Sequence, residues 1–163
     1  MGNPISIPVP FHLDEHQPGL DLPAGTLIHP ELPTGSVWER LAVLHEAVAV
    51  EVAGVAGSGD VPVVVSGCCT TALGTVSGLR RAGIDPAVIW FDGHGDVQSP
   101  QTSTSGYPGG MVLRQLVGGA DRTSPDRLGL TPVREEEVVL VDARDLDPPE
   151  VDFLAGSAIR QVR

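Results

Sequence analysis

Three short runs of β-branched and apolar residues constrain this chain more than any other feature. They are Val61 to Ser66, Ala87 to Phe91 and Val138 to Val141. Each is too short for a helix and too uniformly apolar for a half-exposed strand, so each reads as a buried strand of a parallel sheet. Helical patterns separate them. Ser36-Val37-Trp38-Glu39 fits a capping box, and Leu41, Leu44, His45, Val48 and Val52 then recur at helical spacing to about Ala56, before Gly57-Ser58-Gly59. Thr70 to Ala82 and Gly110 to Val117 read as further helices. Alternation of strand and helix predicts an α/β fold, a three-layer α-β-α arrangement around a parallel sheet.

Residues 1–35 are rich in Pro, Gly and His and predict extended structure and loops, whereas residues 120–132 predict a polar loop. The run Glu135-Glu136-Glu137 reads as a solvated turn. With 163 residues, a single domain spanning 1–163 is expected.

Composition excludes several functions. Net charge is -11, so little basic surface exists to neutralise nucleic-acid phosphates or an anionic membrane. All ten basic residues are Arg, which removes a Walker A lysine and a Schiff-base lysine. No apolar run approaches the ~20 residues of a membrane span. The two cysteines, Cys68 and Cys69, are adjacent and form no disulfide framework, which suits a reducing, cytoplasmic compartment. Met1 to Phe11 contains three prolines and no basic region, unlike a secretory leader.

Each buried run ends in a chemically loaded segment: Gly67-Cys68-Cys69-Thr70, then Asp92-Gly93-His94-Gly95-Asp96, then Asp142-Ala143-Arg144-Asp145-Leu146-Asp147. Ligands of open parallel sheets bind beyond the carboxyl ends of strands. If the second segment continues its strand, Asp92, His94 and Asp96 project to one side. Two carboxylates and an imidazole suit a divalent ion such as Mn²⁺. The alternative is a polar turn in which an Asp caps the next element. The cysteines read as small buried hydrophobes, as a metal ligand, or as a nucleophile with His94 as base.

The stretch Trp90 to Gly106, with Asp92-Gly93-His94-Gly95-Asp96 followed by Ser99-Pro100 and Thr102-Ser103-Thr104-Ser105-Gly106, resembles the ureohydrolase motif of arginases and agmatinases, and is nearer the arginases. Gly109-Gly110-Met111 is similar to the start of the family's next helix, Ser66 to Thr70 to its upstream Gly-Gly-Asp-His-Ser, and Arg144 to Glu150 to its Arg-Asp-Val-Asp-Pro-Gly-Glu. The resemblance implies a binuclear manganese hydrolase that cleaves a C–N bond of a guanidino compound such as L-arginine and releases urea.

Carried over by position, it makes Asp92, His94, Asp96 and Cys69 metal ligands. It places His94 and Asp96 at the reaction and assigns Gln98, Ser105 and Asp147 to the amino-acid end of the substrate. The departures are Cys68 for the family's Asp, Cys69 for its His, and Gly109 for its proton-shuttle His. With Cys69 as ligand, Zn²⁺ or Fe²⁺ would be favoured. The family's last metal motif and C-terminal strands are not found before Arg163, so an incomplete domain is expected. Asp145-Leu146-Asp147 is an Asp-x-Asp, though its flanks fit the substrate-contact segment better. An uncovered edge strand would favour a homo-oligomer. The rival expectation is a degenerate, non-catalytic metal-binding or interaction module.

Overall fold

The structure, a computed structural model, describes residues 2–162. They form two compact units, residues 2–86 with 123–130 and residues 87–122 with 131–162.

In the first unit, strand β1 (Pro4–Val9) pairs parallel with β4 (Val61–Ser66), in register from Pro4 opposite Val61 to Val9 opposite Ser66. A small hairpin joins β2 (Phe11–His12) to β3 (Glu15–His16). Helix α1 (Val37–Gly57) starts at the predicted capping box: Ser36 Oγ accepts from Glu39 N at 3.3 Å and Glu39 Oε2 accepts from Ser36 N at 2.7 Å. Its buried stripe of Leu41, Leu44, Val48 and Val52 packs with Ile7 and Val9 of β1 and with Phe11 and Ile28. The N-terminal segment thus supplies a core strand as well as loops. Its prolines hid that strand, because Pro4, Pro8 and Pro10 break the usual strand signal.

A 3₁₀ turn (Cys69–Thr71) leads into α2 (Ala72–Arg81), which lies against α1. Two glycines set the closeness of that contact. A Cβ on Gly74 would lie 2.5 Å from the His45 carbonyl oxygen, and one on Gly78 would lie 2.6 Å from both the Ala49 carbonyl oxygen and Val52 Cβ. Residues 120–132 are not wholly loop. They contain α4 (Thr123–Arg127), which packs on α1 and carries the buried Ser124 and Pro125. Five residues give too little periodicity to be seen; the tertiary contact defines the helix.

In the second unit, β5 (Val88–Phe91), β6 (Val138–Val141) and β7 (Arg160–Val162) form a parallel sheet in that order. Val138 and Leu140 are buried, as expected for β6. The reading of β5 as buried is corrected: Ile89 and Phe91 are 63% and 76% exposed. Val61 of β4 is likewise 52% exposed. Exposure alternates along both strands, so one face of each is left uncovered there while the other is partly buried. A 3₁₀ turn (Pro108–Met111) precedes α3 (Val112–Leu116), and another (Glu135–Glu137) occupies the acidic run. Helix α5 (Pro148–Gly156) begins after Asp147 with proline at its first positions, a legible start signal that the sequence reading absorbed into a motif.

Candidate metal and substrate site

The site lies beyond the carboxyl end of β5. Asp92 N still donates to Val141 O at 3.3 Å, and then the chain turns. Asp92 Oδ1 accepts from His94 N and lies 2.9 Å from His94 Nδ1, an Asx-type turn closed on the imidazole. Asp96 has φ 52°, in the left-handed region. Continuation of the strand through Asp96, expected from simple alternation, therefore does not occur. Asp92 and His94 meet at the surface, with side chains 32% and 64% exposed, whereas Asp96 is 4% exposed and accepts from Trp90 Nε1 at 3.1 Å.

The electrostatics follow from this arrangement. Burial, and then the Asp92 charge, push the Asp96 carboxyl up to about 7; Glu150 adds to the repulsion. The hydrogen bond to Asp92, with the Asp92, Asp96 and Asp145 charges, raises the His94 imidazole above its ordinary value.

A cleft of about 170 Å³ opens beside these groups, lined by His94, Asp96, Gln98, Ser103, Thr104, Ser105, Tyr107, Gly110, Asp147 and Glu150. Gln98 Nε2 donates to Asp147 Oδ2 at 3.0 Å, and Gln98 Oε1 accepts from Thr102 Oγ1 at 2.7 Å. Ser105 Oγ accepts from Tyr107 N at 3.2 Å. Glu150, which sequence reading did not single out, is 4% exposed; its Oε1 accepts from Val97 N at 3.3 Å and its Oε2 from Asp147 N at 3.1 Å. The capping spacing from Asp147 to Glu150 was the signal that could have found it. Gly95 permits the approach, since a Cβ there would lie 2.9 Å from Glu150 Oε1.

The second unit thus gathers Asp96, His94, Gln98, Ser105 and Asp147 around one cleft, with Asp92 bonded to His94. Cys68 and Cys69 belong to the first unit, as half-buried thiols at the start of α2. Ser66 Oγ donates to Cys68 O at 2.8 Å and Thr71 Oγ1 donates to it at 3.2 Å, which braces that loop.

The donor set of Asp92, His94 and Asp96 fits a divalent cation chemically. Asp96 is a buried carboxyl facing two further acidic groups, and a cation is the partner that such repulsion lacks. Among the described residues, the structure brings no three His, Cys, Asp or Glu side chains into an arrangement that could hold a metal ion.

The family model described as "Arginase family" matches residues 14–163. The chain belongs to the arginase family. An N(omega)-hydroxy-L-arginine amidinohydrolase of Streptomyces lavendulae is 34% identical over 124 residues, which cover 76% of this chain and 42% of that protein. An arginase of Bacillus caldovelox is 34% identical over 123 residues, covering 75% of this chain and 41% of its own length. The solved arginase structure from Bacillus caldovelox superposes with a TM-score of 0.83 at 26% identity, over 99% of this chain and 64% of that one. The fold is therefore the arginase fold of helices and parallel sheets, and the chain spans about two-fifths of the length of these curated relatives.

Proposed function

We propose that this arginase-family chain carries the metal and substrate half of a hydrolase that cleaves the C–N bond of a guanidino compound, L-arginine-like, with release of urea. The observation that carries the reading is the acidic cleft in which buried Asp96 sits beside His94, Gln98, Ser105 and Asp147. Relatives named arginase and N(omega)-hydroxy-L-arginine amidinohydrolase support the same substrate class.

Arginase-family enzymes use a binuclear metal centre. Divalent cations, Mn²⁺ first among them, would supply there the acidification of a water and the withdrawal of charge from the guanidinium carbon. Asp92, His94 and Asp96 would hold the cation, two carboxylates and an imidazole that suit Mn²⁺. The chain's own side chains do the rest. Asp96 is as deeply buried as Glu150, and its burial keeps the local dielectric low, which strengthens every charge interaction in the cleft. Gln98, Ser105 and Asp147 present amide, hydroxyl and carboxylate groups to the polar end of an amino acid. Gln98 is held from both sides, by Asp147 and by Thr102, so its amide is oriented before a ligand arrives.

A second reading, the non-catalytic metal-binding or interaction module, is favoured by Cys68 and Cys69, which stand where the family motif has Asp and His. One experiment separates the two. Urea release from L-arginine and from N(omega)-hydroxy-L-arginine is measured with added Mn²⁺, alongside metal stoichiometry. Two ions per chain with turnover support the hydrolase. One ion or none, without turnover, supports the module.

A further inference from the structure

Gly109 owes its lack of a side chain to Tyr107. A Cβ on Gly109 would fall 2.3 Å from Tyr107 Cε1, 2.8 Å from Cζ and 3.0 Å from the phenol oxygen. The tyrosine ring therefore fills the space in which a side chain at 109 would begin. It is held there by its backbone: Tyr107 N donates to Ser105 Oγ at 3.2 Å, Tyr107 O accepts from Gly110 N at 3.3 Å, and Pro108 starts the 3₁₀ turn that follows.

Tyr107 is 42% exposed and is the phenol ring lining the cleft, beside the His94 imidazole. The other lining groups include three carboxylates, Asp96, Asp147 and Glu150, and no arginine. An acidic cleft with a phenol ring in its wall suits a flat, weakly hydrated cation better than a compact ammonium, because a guanidinium stacks on a ring while its N–H groups donate in plane to carboxylates.

We propose that Tyr107 is the specificity-determining residue of this cleft, its ring face receiving a planar guanidinium. The assignment rests on the guanidino reading above and sharpens it: L-arginine is selected over L-lysine, which lacks planarity, and over L-citrulline, which lacks charge.

Because Tyr107 is the only tyrosine in the chain, its absorption reports on this position alone among tyrosines. The full chain is titrated with L-arginine, L-lysine and L-citrulline, by calorimetry and by difference absorption in the tyrosine band. L-Arginine is expected to bind with a saturable tyrosine shift, and the other two to bind at least about tenfold more weakly. Tyr107→Ala should weaken L-arginine by about tenfold, and Tyr107→Phe, which keeps the ring, by no more than about twofold. Gly109→Ala should displace the ring and reproduce Tyr107→Ala. Equal affinity in wild type and Tyr107→Ala would overturn the role of Tyr107 and leave the guanidino reading standing. Equal loss in Tyr107→Phe and Tyr107→Ala would overturn stacking in favour of the hydroxyl. No binding of L-arginine to the wild-type chain would overturn both the assignment and the reading beneath it.

Discussion

Gln98 Nε2 donates to Asp147 Oδ2 at 3.0 Å, joining a loop after β5 to the residue that precedes α5. Two side chains assigned to the same end of a substrate are thus already bonded to each other. Removing the amide leaves Asp147 without that donor and free to take other rotamers. Gln98→Leu is expected to raise KM for the guanidino substrate about tenfold with a smaller effect on kcat, since the lost interaction is one of ground-state positioning. Steady-state kinetics on the two parameters separately provides the check. A fall confined to kcat would place Gln98 in the chemistry instead.

Glu150 has two backbone acceptor duties, toward Val97 N and Asp147 N. Glu150→Ala leaves both N–H groups to find other partners and should cost about 2 kcal/mol of stability. Gly95→Ala pushes a methyl group against the same carboxylate and should cost about 1–2 kcal/mol. The two substitutions act on one contact, so their effects should not add. Denaturant unfolding of the single and double variants measures this, and full additivity would contradict it.

Gly78→Ala tests packing against propensity. An alanine inside α2 gains roughly 1 kcal/mol of helix propensity over glycine. Its Cβ, however, would enter the space of the Ala49 carbonyl oxygen and Val52 Cβ, both at 2.6 Å. Overpacking at backbone contact costs about 1–3 kcal/mol, so net destabilisation is expected. A higher melting temperature in the variant would show that α1 and α2 can separate at little cost.

His45 predicts acid lability. Its ring is fully buried, with Nδ1 at 2.7 Å from Ser124 Oγ and no hydrogen-bond partner at Nε2 among the described residues. Burial lowers its pKa from 6.5 to about 3. Between those values the unfolded chain binds a proton that the folded chain does not. Stability is therefore full above pH 6.5 and is lost as pH falls toward 3, by up to about 1.4 kcal/mol per pH unit from this residue. His45→Gln should flatten the acid limb of a melting-temperature profile. An unchanged slope below pH 6.5 would assign the acid limb to other groups.

Asp96 predicts a trade between apo stability and metal response. With its pKa moved from 3.8 to about 7, the ionised form costs stability, and stability falls as pH rises through that window. At pH above 7, Asp96→Asn should make the metal-free chain more stable, on the order of 2 kcal/mol, and abolish any rise in melting temperature on adding Mn²⁺. A Mn²⁺-induced rise that persists in Asp96→Asn would remove Asp96 from the ligand set.

Local signals determined much of this protein. Ser36 and Glu39 are neighbours across one helical turn, so their capping box was legible and formed as read. Strands Val61–Ser66 and Val138–Val141 were legible because short β-branched runs favour extended backbone over helix. The Asp92 to Gly106 motif pointed to the family, and the match over residues 14–163 agrees. Tertiary structure decided what depends on distant partners. Strand β1 exists because β4 lies beside it and α1 covers it, α4 because Ser124 meets His45, and β7 because β6 offers an edge to three residues of little strand character. The burial of Asp96, the bond between Gln98 and Asp147, and the ring of Tyr107 over Gly109 depend on where the chain turns after β5. A spacing rule based on strand alternation cannot foresee a left-handed residue at Asp96, because φ there is set by the surrounding hydrogen bonds and packing.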